Sequence, residues 1–195
     1  MIKKKYNLFF FLSFLMAFIV ITSNYLVQFP INYYNLQELL TYGAFTYPIT
    51  FLVTDMSNKA YGKELAKKIV YLGFIVGVLI TLFLSTNFED LISIRIAFGS
   101  GIAFLFAQIL DVQIFDKLRN SKKWFIAPLT SSIIGSAIDT MLFFTISFYN
   151  TEVPWVSLAF GDFLIKILIA IIMLIPFRIF LKSIMKKQNK VFSYK

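Results

Sequence analysis

Neither cysteine nor histidine occurs among the 195 residues. Their absence removes thiol nucleophiles, disulfides, Cys/His zinc sites and imidazole general bases together. No GxxxxGK segment is present, so there is no P-loop for a nucleoside triphosphate. Transport driven by ATP would therefore need another subunit to supply it. Low-complexity tracts and domain linkers are absent too. Charged residues make up only 15% of the chain. The first apolar run is longer than a signal-peptide core and no small-x-small cleavage site follows it, so it is expected to be retained.

What fills the space is apolar. Hydrophobic residues reach 58%, 24 of the residues are phenylalanine, and the mean hydropathy is +0.76. Soluble domains hold about 45–50% apolar residues, and the excess asks for a second apolar solvent. Runs of about 20 apolar residues match the roughly 30 Å of bilayer hydrocarbon at about 1.5 Å per residue. The expected fold class is all-α, a polytopic membrane protein with six transmembrane helices in one integral membrane domain, 1–195. The expected spans are 7–29, 40–58, 69–86, 94–115, 124–148 and 155–181.

Charge orients these spans. Of the 19 basic residues, all but Arg95 and Lys166 fall before the first span, between the second and third, between the fourth and fifth, or at and beyond the end of the sixth. The opposite loops carry Glu38, Glu89, Asp90 and Glu152. The positive-inside bias places the basic side, and with it both termini, in the cytoplasm. The net charge of +9 is thus a pattern of short clusters between apolar runs, and direct nucleic-acid binding is not expected.

Small residues mark helix contacts: Gly73 and Gly77 in the third span, Ala97, Gly99, Gly101 and Ala103 in the fourth, Ser131, Ser132, Gly135 and Ser136 in the fifth. In lipid, close backbone approach replaces the hydrophobic effect as the source of helix association. Pro48 removes a backbone hydrogen bond from the second span and is expected to kink or break it.

Four acids, Asp55, Asp111, Asp139 and Asp162, and one lysine, Lys166, lie inside the spans. A charge at mid-bilayer costs about 2.5–3.5 kcal/mol on insertion scales, so such groups turn inward, find partners and mark substrate or ion paths. Asp162 and Lys166 stand four apart on one helix face and are expected to pair, either as a tolerated internal ion pair or as one that opens on binding. Asp139 heads a stripe of Ser132, Gly135, Ser136 and Phe143 with no basic residue within a turn. Its partner must come from another helix, a ligand or a proton. Asp111 shares a face with Gln108 and Phe115, and pairing with Lys117 or Arg119 competes with a site role. Asp55 has Lys59 one turn on and Tyr47 and Phe51 on its face, which favours a structural salt bridge. Asn24 and Gln28 line a path into the bundle or satisfy interfacial backbone. Carboxylates, amides and rings together suit a flat polar heterocycle, and two adjacent N–H donors on a guanine-like edge match one carboxylate.

The segments ITSNYLVQFP (21–30), TYGAFTYPITFLVTDMSNKAYG (41–62), AQILDVQIFDKLR (107–119) and WFIAPLTSSIIGSAIDTMLFF (124–144) closely resemble the bacterial queuosine precursor transporter family, within the vitamin uptake transporter group. The sixth span, with FGDFLIKIL, is similar more loosely, and the third only as an apolar helix. The resemblance implies a six-helix inner-membrane importer of a queuosine precursor, with 7-cyano-7-deazaguanine the foremost cargo and no cofactor. It places Asp55, Gln108, Asp111 and Asp139 within matching segments. The resulting expectation is that Asp139, Gln108 and Asp111 read the cargo's edge, that Asp55 belongs with them to the substrate site, that Phe143 or Tyr47 stacks on the cargo's face, and that Asp162 and Lys166 form a switchable pair. Three rivals remain. One is a substrate-capture subunit for another vitamin-like molecule, working with an ATPase module. The second is a membrane enzyme using paired carboxylates. The third is a structural subunit, which leaves the interior acids without a purpose. A homo-oligomer or an energising partner is compatible with all of this.

Overall fold

The computed structural model describes residues 2–33, 40–84 and 90–192. Glu38, Glu89, Lys195 and the last two residues of the expected third span lie outside them. Seven helices occur among the described residues: α1 (Ile2–Leu26), α2 (Gly43–Thr46), α3 (Ile49–Tyr61), α4 (Lys63–Leu84), α5 (Leu91–Leu118), α6 (Ile126–Phe148) and α7 (Trp155–Phe192). Four are long and apolar enough to cross a membrane, namely α1 from Phe9, α5, α6, and α7 as far as Ser183. Helix α3 has only 13 residues, and α4 is an apolar helix of 22 residues that opens with Lys63, Glu64, Lys67 and Lys68.

Burial is inverted relative to a water-soluble bundle. Phe10, Phe14, Phe18, Phe83, Phe98, Phe106 and Phe160 stand exposed, whereas Ser23, Thr50, Asn58, Gln108, Asp111, Ser131 and Asp139 are buried. An apolar exterior with polar groups turned inward is what a hydrocarbon solvent selects.

Helices α5 and α6 form the most extensive pair, α1 packs on α4, and α3 touches α1, α4, α5, α6 and α7. The shortest of the long elements therefore runs through the middle. Its start explains why: the second span is broken, as Pro48 foretells, into α2 and α3. Thr50 Oγ1 donates to Tyr47 O at 2.7 Å and Thr46 Oγ1 to Gly43 O at 3.3 Å, so side chains satisfy carbonyls around the break. Irregular backbone at membrane depth survives where it is enclosed by protein or lines a cavity.

Two close approaches depend on glycine. A Cβ on Gly73 would overlap Met16, and one on Gly77 would reach Val20 Cγ1 at 2.9 Å, which seats α4 against α1. A Cβ on Gly135 would lie 2.7 Å from Phe51 Cε1, so the ring of α3 sits directly on α6.

Candidate functional site

The break in the second span opens onto a cavity. It is lined by Ser23 and Asn24 of α1 and Val27 just beyond it, Gly43 and Tyr47 beside the break, Ser100 of α5, Asp139 and Phe143 of α6, and Asp162 and Lys166 of α7. Antiparallel pairing of Pro30 with Thr41 folds the chain back so that α2 docks on α1, where Ser23 Oγ and Thr46 Oγ1 lie 2.8 Å apart. The cavity has a volume of about 30 Å³. A bicyclic guest therefore enters only as side chains move apart.

Lys166 organises the wall. Its ammonium donates to Asp139 Oδ2 at 2.7 Å, to Asp162 Oδ2 at 2.6 Å and to Thr140 Oγ1 at 3.1 Å, which uses all three N–H groups. Thr140 in turn donates to Asp162 Oδ2 at 2.7 Å. The Tyr47 ring lies 5.4 Å from the same ammonium, in cation–π range. With 3% of Lys166 and 2% of Asp139 exposed, the charges are withdrawn from solvent and from lipid. The spacing of Asp162 and Lys166 on one helix face is matched by an ion pair. The partner that Asp139 needed comes from another helix, and it is the same lysine.

Two polar atoms in this wall remain open. Asp139 Oδ1 and the Tyr47 hydroxyl are both buried without a hydrogen-bond partner. They face one another without closing a bond of good geometry. A carboxylate oxygen that accepts and a phenol that can donate or accept are thus presented to the same cavity. Phe143 lines it as well, and its ring packs edge-on against Phe144 at 5.0 Å.

The other three expected site residues are not in this wall. Gln108 is locked by two hydroxyls of α3: Thr54 Oγ1 donates to its Oε1 at 2.5 Å, and its Nε2 donates to Thr50 Oγ1 at 2.7 Å. Asp55 and Asp111 lie deeper toward the basic end, facing each other across the α3–α5 seam. Phe51, seated on Gly135, falls on α3 one turn from Tyr47 and one turn from Asp55, and so stands between the two groups.

Neither the salt bridge favoured for Asp55 nor the pairing weighed against a site role for Asp111 forms among the described residues. Lys59 Nζ donates to Arg119 O at 2.8 Å, at the end of α5, and not to Asp55. Arg119 pairs with Asp116 at 3.2 Å and donates to Asn58 O and Lys59 O at the end of α3, and not to Asp111. The reason is local. Each cation caps the exposed carbonyls of the other's helix, where the helix dipole favours positive charge. Asp55 is left with Ser131 Oγ at 3.3 Å and Ser132 Oγ at 3.5 Å.

Sequence reading missed Thr140, Ser23, Ser100, Thr50 and Thr54. Thr140 carried a signal, since it directly follows Asp139. The others are small polar residues that read equally well as helix-packing positions. No group of three or more acidic residues fit to hold a metal ion occurs among the described residues.

Comparison with known proteins agrees in direction with this geometry. Residues 41–181 match the family described as vitamin uptake transporters. The "Queuosine precursor transporter" of Escherichia coli (strain K12) is 32% identical over 203 residues, covering 94% of this chain and 91% of that protein. The "Probable queuosine precursor transporter" of Haemophilus influenzae is 33% identical, covering 90% of this chain and 87% of that protein. A Bacillus subtilis protein of the same name is 27% identical, covering 69% of this chain and 68% of its own length. No solved structure matches the chain.

Proposed function

This chain belongs to the vitamin uptake transporter family, and from that premise we propose that it imports a queuosine precursor, 7-cyano-7-deazaguanine, through the cavity at the broken second span. In this reading the chain crosses the cytoplasmic membrane six times with both termini in the cytoplasm. The charge pattern supports that orientation, and α2 with α3 serves as one interrupted crossing.

The observation that carries the reading is the open pair of Asp139 Oδ1 and the Tyr47 hydroxyl in a wall otherwise saturated by its own hydrogen bonds. A buried acceptor left unpaired costs about 1–3 kcal/mol, which a guest with two adjacent N–H donors recovers on binding. Phe143 and the Tyr47 ring supply apolar faces for a planar ring. Lys166 holds Asp139 Oδ2, which leaves Oδ1 for the cargo and fixes the carboxylate plane. As the guest displaces Tyr47 or turns Asp139, the lysine keeps Asp162 and Thr140 as partners, so its charge stays compensated. Two carboxylates sharing one ammonium form a pair that can open without stranding the cation.

Uptake of labelled 7-cyano-7-deazaguanine into cells unable to make it tests the assignment, read also as queuosine in their transfer RNA. Asp139→Asn and Asp139→Ala are expected to lower uptake at least tenfold. Normal uptake by both variants removes Asp139 from the site, and loss of uptake in the absence of a separate ATPase module returns the chain to a capture subunit.

A further inference from the structure

Asp55 and Asp111 are unused by the cavity just described, and their surroundings differ from it in one respect: among the described residues no cation pairs with them. Asp111 is fully buried and Asp55 is 2% exposed. Neither oxygen of Asp111 has a hydrogen-bond partner. One turn beyond Asp55, Asn58 donates through Nδ2 to Val112 O at 3.0 Å, while its buried Oδ1 also lacks a partner. Among the described residues no lysine or arginine forms an ion pair with Asp55 or Asp111. Lys59, Asp116 and Arg119 are occupied at the helix ends, and Lys166 is occupied by Asp139 and Asp162.

Two carboxylates cannot both be charged at close quarters in a dry interior, because nothing offsets their repulsion and desolvation. One proton shared between them removes one charge and supplies the donor that the unpaired oxygens lack. A metal ion would instead need several oxygens in its shell, and the hydroxyls of Ser131 and Ser132 stand at long range from Asp55 alone.

Two hollows lie between Asp55 and the basic end of the bundle. A small cavity of about 10 Å³, room for about one water, lies against Asp55 and Ser132 and is also lined by Phe177. Phe177 also lines a larger hollow at the basic end, about 340 Å³, bounded by Lys59, Arg119, Lys122 and Lys123. In the other direction, Phe51, seated on Gly135, lies one turn from Asp55 and one turn from Tyr47 of the cargo cavity.

We propose that Asp55 and Asp111 form a proton-carrying site that couples import to the proton gradient. The site binds one proton from the outer side with each cargo molecule and returns it to water on the basic side. The coupling rests on the importer reading above, and the two can fail separately.

Purified full-length protein in liposomes decides between them. Exchange of labelled against unlabelled 7-cyano-7-deazaguanine with no gradient measures transport itself, and its absence from the unsubstituted protein sinks the importer reading. Where exchange occurs, an outside-acid gradient is expected to drive accumulation by about tenfold per pH unit for one proton per neutral cargo. Asp111→Asn and Asp55→Asn are expected to retain exchange and to lose that accumulation. Accumulation driven by a sodium gradient, or exchange with no response to pH in the unsubstituted protein, overturns the proposal. Infrared spectroscopy gives a reading that does not depend on transport by the variants. The unsubstituted protein at neutral pH is expected to show a protonated-carboxyl band that Asp111→Asn shifts or removes, and a spectrum without that band overturns the proposal too.

Discussion

Two pairs of interior carboxyls lie on either side of Phe51, and they are built in opposite ways. Asp139 and Asp162 share the ammonium of Lys166, and Asp162 also accepts from the Thr140 hydroxyl, beside a cavity. Asp55 and Asp111 share only each other and two distant serines. Burial of the four is nearly equal, from 0% to 8% exposed, so depth does not distinguish them. The partner does. A carboxylate held by a cation keeps its charge and can present a free oxygen to a guest, whereas carboxyls without a cation must trade protons.

The contrast breaks most completely at Lys166. Lys166→Met leaves two buried carboxylates uncompensated and is expected to cost about 3–5 kcal/mol, seen as a large drop in the melting temperature of the detergent-solubilised protein, with uptake lost. Adding Asp139→Asn and Asp162→Asn to that variant is expected to recover most of the stability and none of the uptake. Failure of the triple variant to recover stability means that the lysine's packing, and not its charge, holds the wall together.

Gly135 tests the partition between the pairs. Gly135→Ala sets a methyl 2.7 Å from Phe51 Cε1 and 3.4 Å from Ala107 O, and overpacking of this kind costs about 1–3 kcal/mol. Phe51→Leu in the same chain is expected to relieve it, as measured by thermal unfolding. An unchanged melting temperature for Gly135→Ala means the ring moves freely and does not divide the two regions.

A comparable loss, about 1–3 kcal/mol, is expected from Thr54→Val, which leaves Gln108 Oε1 buried and unpaired. Uptake by the folded fraction is expected to stay near normal, since Gln108 lies outside the cavity wall. A selective loss of uptake would instead bring Gln108 back to the cargo.

Lys59→Met is expected to have the smallest effect, about 0.3–1 kcal/mol, because the amine caps the end of α5. Were Lys59 the counterion of Asp55, its removal would cost as much as that of Lys166. The two variants measured side by side, by unfolding in the same detergent, therefore sharpen the comparison at its weaker end.

Much of this molecule is written along single helices. The apolar composition announces a lipid solvent, Pro48 announces the interrupted span, and the four-residue spacing of Asp162 and Lys166 announces their ion pair. Periodicity also turned Asp139, Gly135 and Ser132 to one face. Each of these follows from backbone geometry within one segment, which the order of residues dictates directly.

Relations between segments were not legible in the same way. Lys59 and Arg119 each stand near an acid in sequence, and each is spent on the carbonyl end of the other's helix. Asp139 had no cation on its own helix and acquired one from α7, twenty-seven positions away. Gln108 and Asp111 shared a face with a suitable chemistry, yet that face meets α3 and not the cavity. Sequence by itself determined that the chain is helical, apolar outside and acidic within. Which acid received the lysine, and which pair was left to face itself, was decided only when the helices packed. A side chain's partner depends on the rotation and depth of a neighbouring helix, and no spacing along one helix records either.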